Sequence, residues 1–493
     1  MHQAPTVRSA LKSPRTLRTE TLAGLVVALA LIPEAISFSI IAGVDPRLGL
    51  FASFTMAVTI SVVGGRPAMI SAATGAIALV IAPLVADYGV EYLIATVVLG
   101  GAMQIVLALV GVARLMRFVP RSVMVGFVNA LAILIFAAQV PEMVGVPFLV
   151  YPLIALGIAI IVLLPRINNV VPSPLVAIVV LTTITLSVAI AVPDVGERGE
   201  LPDSLPTLGL PDIPYTFETL KIIAPYAFAM ALVGLMESLM TAKLVDDITD
   251  TPSDKTRESW GQGVANVVTG FFGGMGGCAM IGQTMINVKA SGARTRLSTF
   301  LAGVFLLILV VGLGDIVSKI PMAALVAVMI MVAVGTFDWH SIQPATLKRM
   351  PKSETTVMLA TVALTVATEN LAIGVGVGVL TAMVLFARRV AHFAQVDRVL
   401  VETDEGTTAV YTVTGELFFA SSNDLYEQFD YADDPERVVI DLSGSHVWDA
   451  STVAALDAVT TKYSHRDVTV DIRGLNTASL AMHTRLTGQL SSE

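Results

Sequence analysis

Residues 64–75 read GGRPAMISAATG and residues 276–284 read GGCAMIGQT. Each is a glycine-rich break leading into a short apolar segment. The stretch Ser71-Ala72-Ala73-Thr74-Gly75-Ala76 is too small and too polar to begin a lipid-facing helix, so it is predicted to run extended. The half-helix after it would then point its first free N–H groups and positive dipole end into the protein, where an anion can be held. Gly276 to Ile281 form the counterpart, before a half-helix expected from about Gln283. Small residues also let helices pack closely, but two such breaks at matching places favour a site. The echo extends outward, because Glu34 in AGLVVALALIPEAISFSIIAGVDPRLGLFAS (23–53) and Glu237 in ALVGLMESLMTAKLV (231–245) also stand about 200 residues apart.

Composition places these breaks in lipid. Of 493 residues, 55% are hydrophobic and only 14% charged, with a mean hydropathy of +0.77. Those values exclude a secreted, disordered or nucleic-acid-binding body. The single cysteine, Cys278, excludes a disulfide framework, and the six histidines are scattered without metal-ligand spacing, so no metal is expected. Charge divides the chain: residues 1–395 hold 24 Lys+Arg against 22 Asp+Glu, whereas residues 396–493 hold 6 against 17.

Fourteen apolar segments are predicted, near 21–42, 49–64, 67–86, 91–111, 121–139, 147–164, 170–192, 217–243, 258–273, 278–290, 296–314, 320–334, 354–369 and 371–389. Residues 1–20 have no apolar signal-peptide core and read as a basic cytoplasmic arm. With that arm inside, twenty Lys/Arg fall at cytoplasmic ends and four outside. The domains expected are therefore the arm 1–20, a transmembrane body 21–395 and a cytoplasmic unit 396–493. Two repeats of seven spans each must enter the membrane in opposite directions. Inverted repeats with broken helices at corresponding positions mark secondary transporters with a midplane site.

A carboxylate within a span is a functional candidate by default. Its structural alternative is a neutral carboxyl holding one hydrogen bond, or for Glu237 a pairing with Lys243. Thr241, at i+4 from Glu237, can address the same ligand or bond its own helix carbonyl. Gln104, Asn129, Asn266 and Asn287 read as interhelical glue, with Gln283 kept as a site candidate. The acidic run Asp246, Asp247, Asp250 and Asp254 reads as a solvated loop. In the tail, LVETDEGTTAVYTVTG (400–415) is predicted as a hairpin. A helix near 421–430, the strand RVVIDLS, a helix over 450–463, the strand VTVDIRG and a helix from Asn476 follow. No GxxxxGK[ST] loop is present, so ATP hydrolysis is not expected.

The 23–53 stretch, together with ALVGLMESLMTAKLVDDITDT (231–251) and GGMGGCAMIGQTMINVKASGARTRLS (273–298), resembles the sulfate permease (SulP) family of anion transporters, which includes prestin and pendrin. The tail resembles the STAS domain those proteins carry. The resemblance implies fourteen spans in two inverted repeats of seven, arranged as core and gate domains, and a homodimer in the cell membrane. It implies substrate contacts at Pro33, Glu34, Phe38, Ala73, Thr74, Gly75, Ala279, Met280 and Ile281, joined by Gln283, with ion coupling by Glu237, Thr241 and Glu34. Glu34 stands where many relatives carry glutamine, and GGCAMIGQT lacks their Pro-containing, Ser/Thr-rich form.

Proton-coupled symport of sulfate or a dicarboxylate such as fumarate is expected, without an enzyme activity or a cofactor beyond the coupling ion. Sodium-driven bicarbonate symport is the alternative within transport. An anion sensor signalling through the tail is the alternative of another class. VVIDLSGSHVWDASTVAALD (438–457) resembles anti-sigma-factor antagonists, whose phosphorylated serine aligns with Ser451; Ser451 reads either as a regulatory site or as a helix N-cap. No partner of the tail is named by the sequence.

Overall fold

A broken helix in lipid must satisfy every backbone group it frees, and the architecture follows from how that is done. The computed structural model describes residues 6–115, 119–167, 172–188, 191–202, 204–391, 395–403 and 406–489. It forms two compact units, Met1–Val379 and Leu380–Glu493, with the boundary inside the last apolar helix.

The first unit is helical. Its main helices are α1 (Pro14–Ala42), α2 (Pro46–Val63), α3 (Gly75–Tyr88), α4 (Val90–Val110), α5 (Arg121–Ala137), α6 (Val150–Leu163) and α7 (Ser173–Ser187). They continue with α8 (Phe217–Thr249), α9 (Lys255–Phe271), α10 (Ile281–Met285), α11 (Arg296–Val317), α12 (Met322–Thr336), α13 (Lys352–Thr368) and α14 (Leu371–Ala391). Each of these helices overlaps one of the apolar segments predicted from the sequence. Among the described residues seven helices are long and apolar enough to cross a membrane alone, and α3, α6, α7 and α12 are shorter apolar helices.

The glycine-rich breaks run extended, as their composition predicts. Strands β1 (Ser71–Ala72) and β2 (Cys278–Ala279) pair antiparallel, Ser71 opposite Ala279 and Ala72 opposite Cys278. Antiparallel pairing is what two equivalent segments entering the membrane in opposite directions require. The half-helix after β2 starts at Ile281 rather than near Gln283, and after one turn widens into a π turn over Ile286–Ala290.

The helices pack in two groups. One comprises α1–α4 with α8–α11, and its most extensive packing is of α4 on α9. There a Cβ built on Gly101 would lie 2.6 Å from the Gly263 carbonyl oxygen, and one on Gly263 would lie 2.6 Å from that of Gly101. Only glycine permits this approach. The other group joins α5 to α13 and α12, and α6 to α7 and α12. The groups meet where α12 lies on α1 and α3 on α5.

The chain is already helical within the basic 1–20 stretch: α1 begins at Pro14, capped by Ser13. Its buried Glu20 accepts the backbone N–H groups of Arg294 and Thr295 at 2.8 and 3.0 Å and of Ser298 at 3.1 Å, which anchors the start of α11. The run at Asp246 is not simply solvated. Asp246 accepts from Arg66 at 3.0 Å and from Lys255 at 2.5 Å, and Asp254 caps α9.

The second unit is a four-stranded sheet, β3 (Gln395–Thr403), β4 (Gly406–Leu417), β5 (Arg437–Val447) and β6 (Thr469–Arg473), ordered β3-β4-β5-β6. The first pair is the predicted hairpin and the others are parallel. Helices α15 (Ser422–Glu427), α16 (Ala450–Ser464) and α17 (Thr477–Leu486) complete it. Ser451 is not the cap of α16. Asp449 is, accepting the Thr452 N–H at 3.0 Å, because the helix starts one residue before Ser451 and leaves that side chain exposed on its first turn.

Asp434, its side chain fully buried, holds this unit together. It accepts from Arg398 at 2.8 Å, from Tyr411 at 2.6 Å and from Tyr463. Burial first, and then the bond to Asp434, push the Tyr463 phenol well above its ordinary value, so it remains a donor. Each buried phenol left without its acceptor costs about 1–3 kcal/mol. Asp434→Ala is therefore expected to speed amide exchange in β4 and β5 of the intact protein by roughly two orders of magnitude. Unchanged exchange there would show that Asp434 carries no such load.

Candidate functional site

Two residues of strand pairing cannot satisfy the backbone around a break, so side chains supply the rest. Asn266 of α9 accepts the Gly277 N–H at 2.9 Å and donates to the Gly277 carbonyl at 3.0 Å. Ser238 of α8 accepts from Ala279 at 3.0 Å, Ser53 of α2 from Ala73 at 3.3 Å, and Thr284 from Ile70 at 3.0 Å. Met280 donates its N–H to the Ile70 carbonyl at 2.9 Å. A Cβ on Gly277 would sit 2.0 Å from the Ala72 carbonyl oxygen, so the pairing itself demands glycine there.

Held this way, the breaks deliver two helix starts to one place. Thr74 caps α3 through its hydroxyl, which accepts from Ile77 at 3.4 Å. Met280 precedes α10 in extended conformation without a side-chain cap. The first N–H groups of any helix lack intrahelical partners and carry its positive dipole end.

A cavity of about 380 Å³ opens in front of them. Glu34, Phe38, Thr74, Gly75, Glu237, Met280, Ile281 and Gln283 all line it, so eight of the sequence-derived candidates are brought together. Pro33, Ala73 and Ala279 are buried behind the lining. Glu34 of α1 faces Gln283. Glu237 of α8 accepts from the Cys278 thiol at 3.0 Å.

Thr241 is not part of the lining. It donates to the Glu237 carbonyl at 2.8 Å, because on a continuous helix a threonine hydroxyl is satisfied by the carbonyl four residues back. The opposite wall was not anticipated. It comes from Phe127, Val128, Leu131 and Ile135 of α5 and from Val332, Gly335 and Thr336 near the end of α12. These are almost all apolar or small residues on apolar helices, and nothing in their spacing separates them from lipid-facing neighbours. Asn266, Ser238 and Ser53 were likewise not recognisable as backbone partners. Their signal would have been polar residues in spans at places able to meet a break.

The charge of the lining is its main chemical fact. Glu34 and Glu237 are ionisable carboxyls, and among the described residues no Lys, Arg or His lines the cavity. A larger cavity, about 730 Å³, has Arg47 among Asp45, Glu197, Glu200 and Asp315. There Arg47 is already paired with Glu200 at 2.6 Å, so that cavity suits an anion poorly.

Fold and site define a polytopic helical membrane protein with two discontinuous helices facing an internal cavity, followed by an α/β unit. The Sulfate permease family model matches residues 17–152 and 149–361, and the STAS domain model matches residues 398–488. The chain belongs to the sulfate permease family, whose members are anion transporters. A Bacillus subtilis (strain 168) protein named "Putative sulfate transporter YbaR" is 53% identical over 466 residues, 94% of this chain and 96% of that one. The transmembrane domain of a cyanobacterium bicarbonate transporter, BicA, superposes with a TM-score of 0.65 at 26% identity, over 73% of this chain and 98% of that chain. The murine anion transporter Slc26a9 in its inward-facing state gives a TM-score of 0.79 at 17% identity over 95% and 87%, a likeness of fold alone.

The geometry separates the two residues of the Glu237-Thr241 pair. Thr241→Val keeps the shape and removes only a back-bonded hydroxyl, so anion uptake is expected to stay within about twofold of wild type. Ser238→Ala orphans the buried Ala279 N–H and is expected to lower the melting temperature and uptake together, at about 1–3 kcal/mol. A large uptake loss in the threonine variant with none in the serine variant would reverse these assignments.

Proposed function

We propose that this chain is a secondary active transporter that carries sulfate, or a dicarboxylate such as fumarate, into the cell with protons by alternating access. In this reading it has fourteen membrane spans, both termini in the cytoplasm, and works as a homodimer in the cell membrane. The group α1–α4 with α8–α11 acts as the core that moves, and α5–α7 with α12–α14 as the gate.

One observation carries the reading: the cavity offers an anion two helix starts, two hydroxyls and an amide, beside two carboxyls and, among the described residues, without a cationic side chain. At ~6 Å and an effective dielectric of ~20, each ionised carboxylate would repel each substrate charge by about 3 kcal/mol. Anion and ionised carboxylates therefore exclude one another, whereas anion and neutral carboxyls coexist. Protons arriving at Glu34 and Glu237 open the site to the anion, which the N–H groups at α3 and α10, the Thr74 hydroxyl and the Gln283 amide can hold. With its charge compensated, the core can carry the anion past the apolar wall of α5 and α12. On the less acidic side the protons leave, the carboxylates ionise, and the anion is expelled.

A second reading has one support of its own. The BicA transmembrane domain resembles this chain over nearly its whole length, and ionised Glu237 with the Thr74 hydroxyl offers oxygens to a sodium ion. Sodium-driven bicarbonate uptake is therefore the rival to be tested beside proton symport. A sensor that signals through the STAS domain would bind an anion and move none.

Proteoliposomes containing the full chain decide among these. An inward proton gradient is expected to drive accumulation of labelled sulfate, and acidic outside pH to lower its apparent KM. Glu237→Gln should reduce gradient-driven accumulation by at least about tenfold, and more than Glu34→Gln does. Accumulation of bicarbonate driven by sodium alone would replace the proton reading. Binding without flux of any anion would favour the sensor.

A further inference from the structure

Cys278 is the only cysteine of the chain and lies fully buried on β2. Its sulfur is 3.0 Å from Glu237 Oε2 and 3.2 Å from Thr74 Oγ1. It therefore stands between a carboxyl and a hydroxyl that both line the cavity, while being outside the lining itself. The Thr74 oxygen already accepts the Ile77 N–H, so its own proton is available either to the thiol or to an anion in front of α3.

We propose that Cys278 is a positioning residue whose thiol links anion occupancy at Thr74 to the protonation state of Glu237. The inference rests on the transport reading above but concerns a different atom. With the cavity empty and Glu237 ionised, the Thr74 hydroxyl donates to sulfur and the thiol donates to Oε2, which favours the carboxylate. When an anion takes the Thr74 proton as its own hydrogen bond, sulfur loses that donor. The protonated Glu237 then donates to sulfur, and the thiol turns to donate to Thr74 Oγ1, which has a lone pair to spare. No S–H or O–H bond of Cys278 or Thr74 breaks. The sole proton gained is the one Glu237 takes from water, and only rotors turn.

A thiol suits this position because it is a weak donor and a weak acceptor, so neither arrangement is strongly preferred. Linkage makes the effect reciprocal: an anion that favours protonated Glu237 is itself favoured by it. Glu34 of α1 lines the same cavity, Lys243 on α8 itself is exposed, and the titratable group bonded to the carboxyl is Cys278.

Because the chain has one cysteine, its S–H stretching band in the infrared reports on this thiol alone. For the full-length protein in lipid, the band is expected to move between alkaline and acidic buffer, and to move on adding sulfate. Glu237→Gln should abolish the pH response, and Thr74→Val should abolish the sulfate response while keeping the pH response.

In proteoliposomes, the wild-type KM for sulfate should fall on acidification by up to about tenfold per pH unit for each of the two carboxyls that must be neutral. Cys278→Ala should make this dependence shallower by about threefold per pH unit, the direct repulsion between carboxylates and anion remaining, and Cys278→Ser, which restores a donor and acceptor, should recover the wild-type slope. If Cys278→Ala does not fold, the wild-type band and the Thr74→Val protein still decide. A band that ignores both pH and sulfate while proton-driven uptake proceeds overturns the thiol link and leaves symport standing. A band that responds to both, in a protein whose uptake no proton gradient drives, upholds the link and overturns symport.

Discussion

Everything in the membrane unit depends on keeping two short pieces of extended backbone alive away from water. Four residues form the ladder, Ser71 and Ala72 against Ala279 and Cys278, and they cannot pair all the peptide groups around the breaks. The remainder fall to Ser53, Ser238, Asn266 and Thr284, which come from α2, α8, α9 and α10. The break thus dictates which helices must surround it. It also explains why these polar residues are buried in an otherwise apolar bundle, since each repays in hydrogen bonds what it costs to desolvate. The close approach of α4 to α9 at Gly101 and Gly263 keeps α9, and with it Asn266, in place.

The same arrangement concentrates polarity on one side of the cavity. Helix starts, carboxyls, the amide and the Thr74 hydroxyl come from α1, α3, α8 and α10, whereas α5 and α12 present a face that is apolar but for Thr336. Such an asymmetric boundary suits motion. In the proposed cycle one group would make the specific contacts with the anion, and the other would offer little that has to be broken when it is passed. Anion chemistry without a fixed cation fits this division, because helix starts move with the core and cannot be left behind as a side chain on the gate could.

Much of this was legible in the sequence, for physical reasons that can be named. Glu34 and Glu237 stand out because a carboxylate in an apolar run is rare. The breaks stand out because glycine and small polar residues cannot make a good lipid-facing helix, and the tail's strands stand out through their alternation. Thr241 was readable two ways, because helical spacing tells which residues share a face and not whether a hydroxyl already bonds its own helix, and the structure shows the back-bonded one. Ser451 misled because the cap lies two residues earlier, at Asp449. Asp246 looked like one of a solvated set until Arg66, distant in sequence, was found beside it. The wall from α5 and α12 was invisible since an apolar side chain facing a cavity is written like one facing lipid. Glu20 was overlooked because it sits among charges at a helix start, where burial has no local signature.

The strand pair also sets a timetable. Its two halves are separated by about 200 residues of chain, and at ribosomal rates of roughly 5–20 residues per second the first half emerges some 10–40 s before the second. During that interval the backbone at Ser71 and Ala72 has neither its partner strand nor the side chains of α8 and α9. The first repeat must therefore wait in a state that lipid will not accept, sheltered by the insertion machinery or kept at the water boundary. The unit closes only when the ninth and tenth segments arrive.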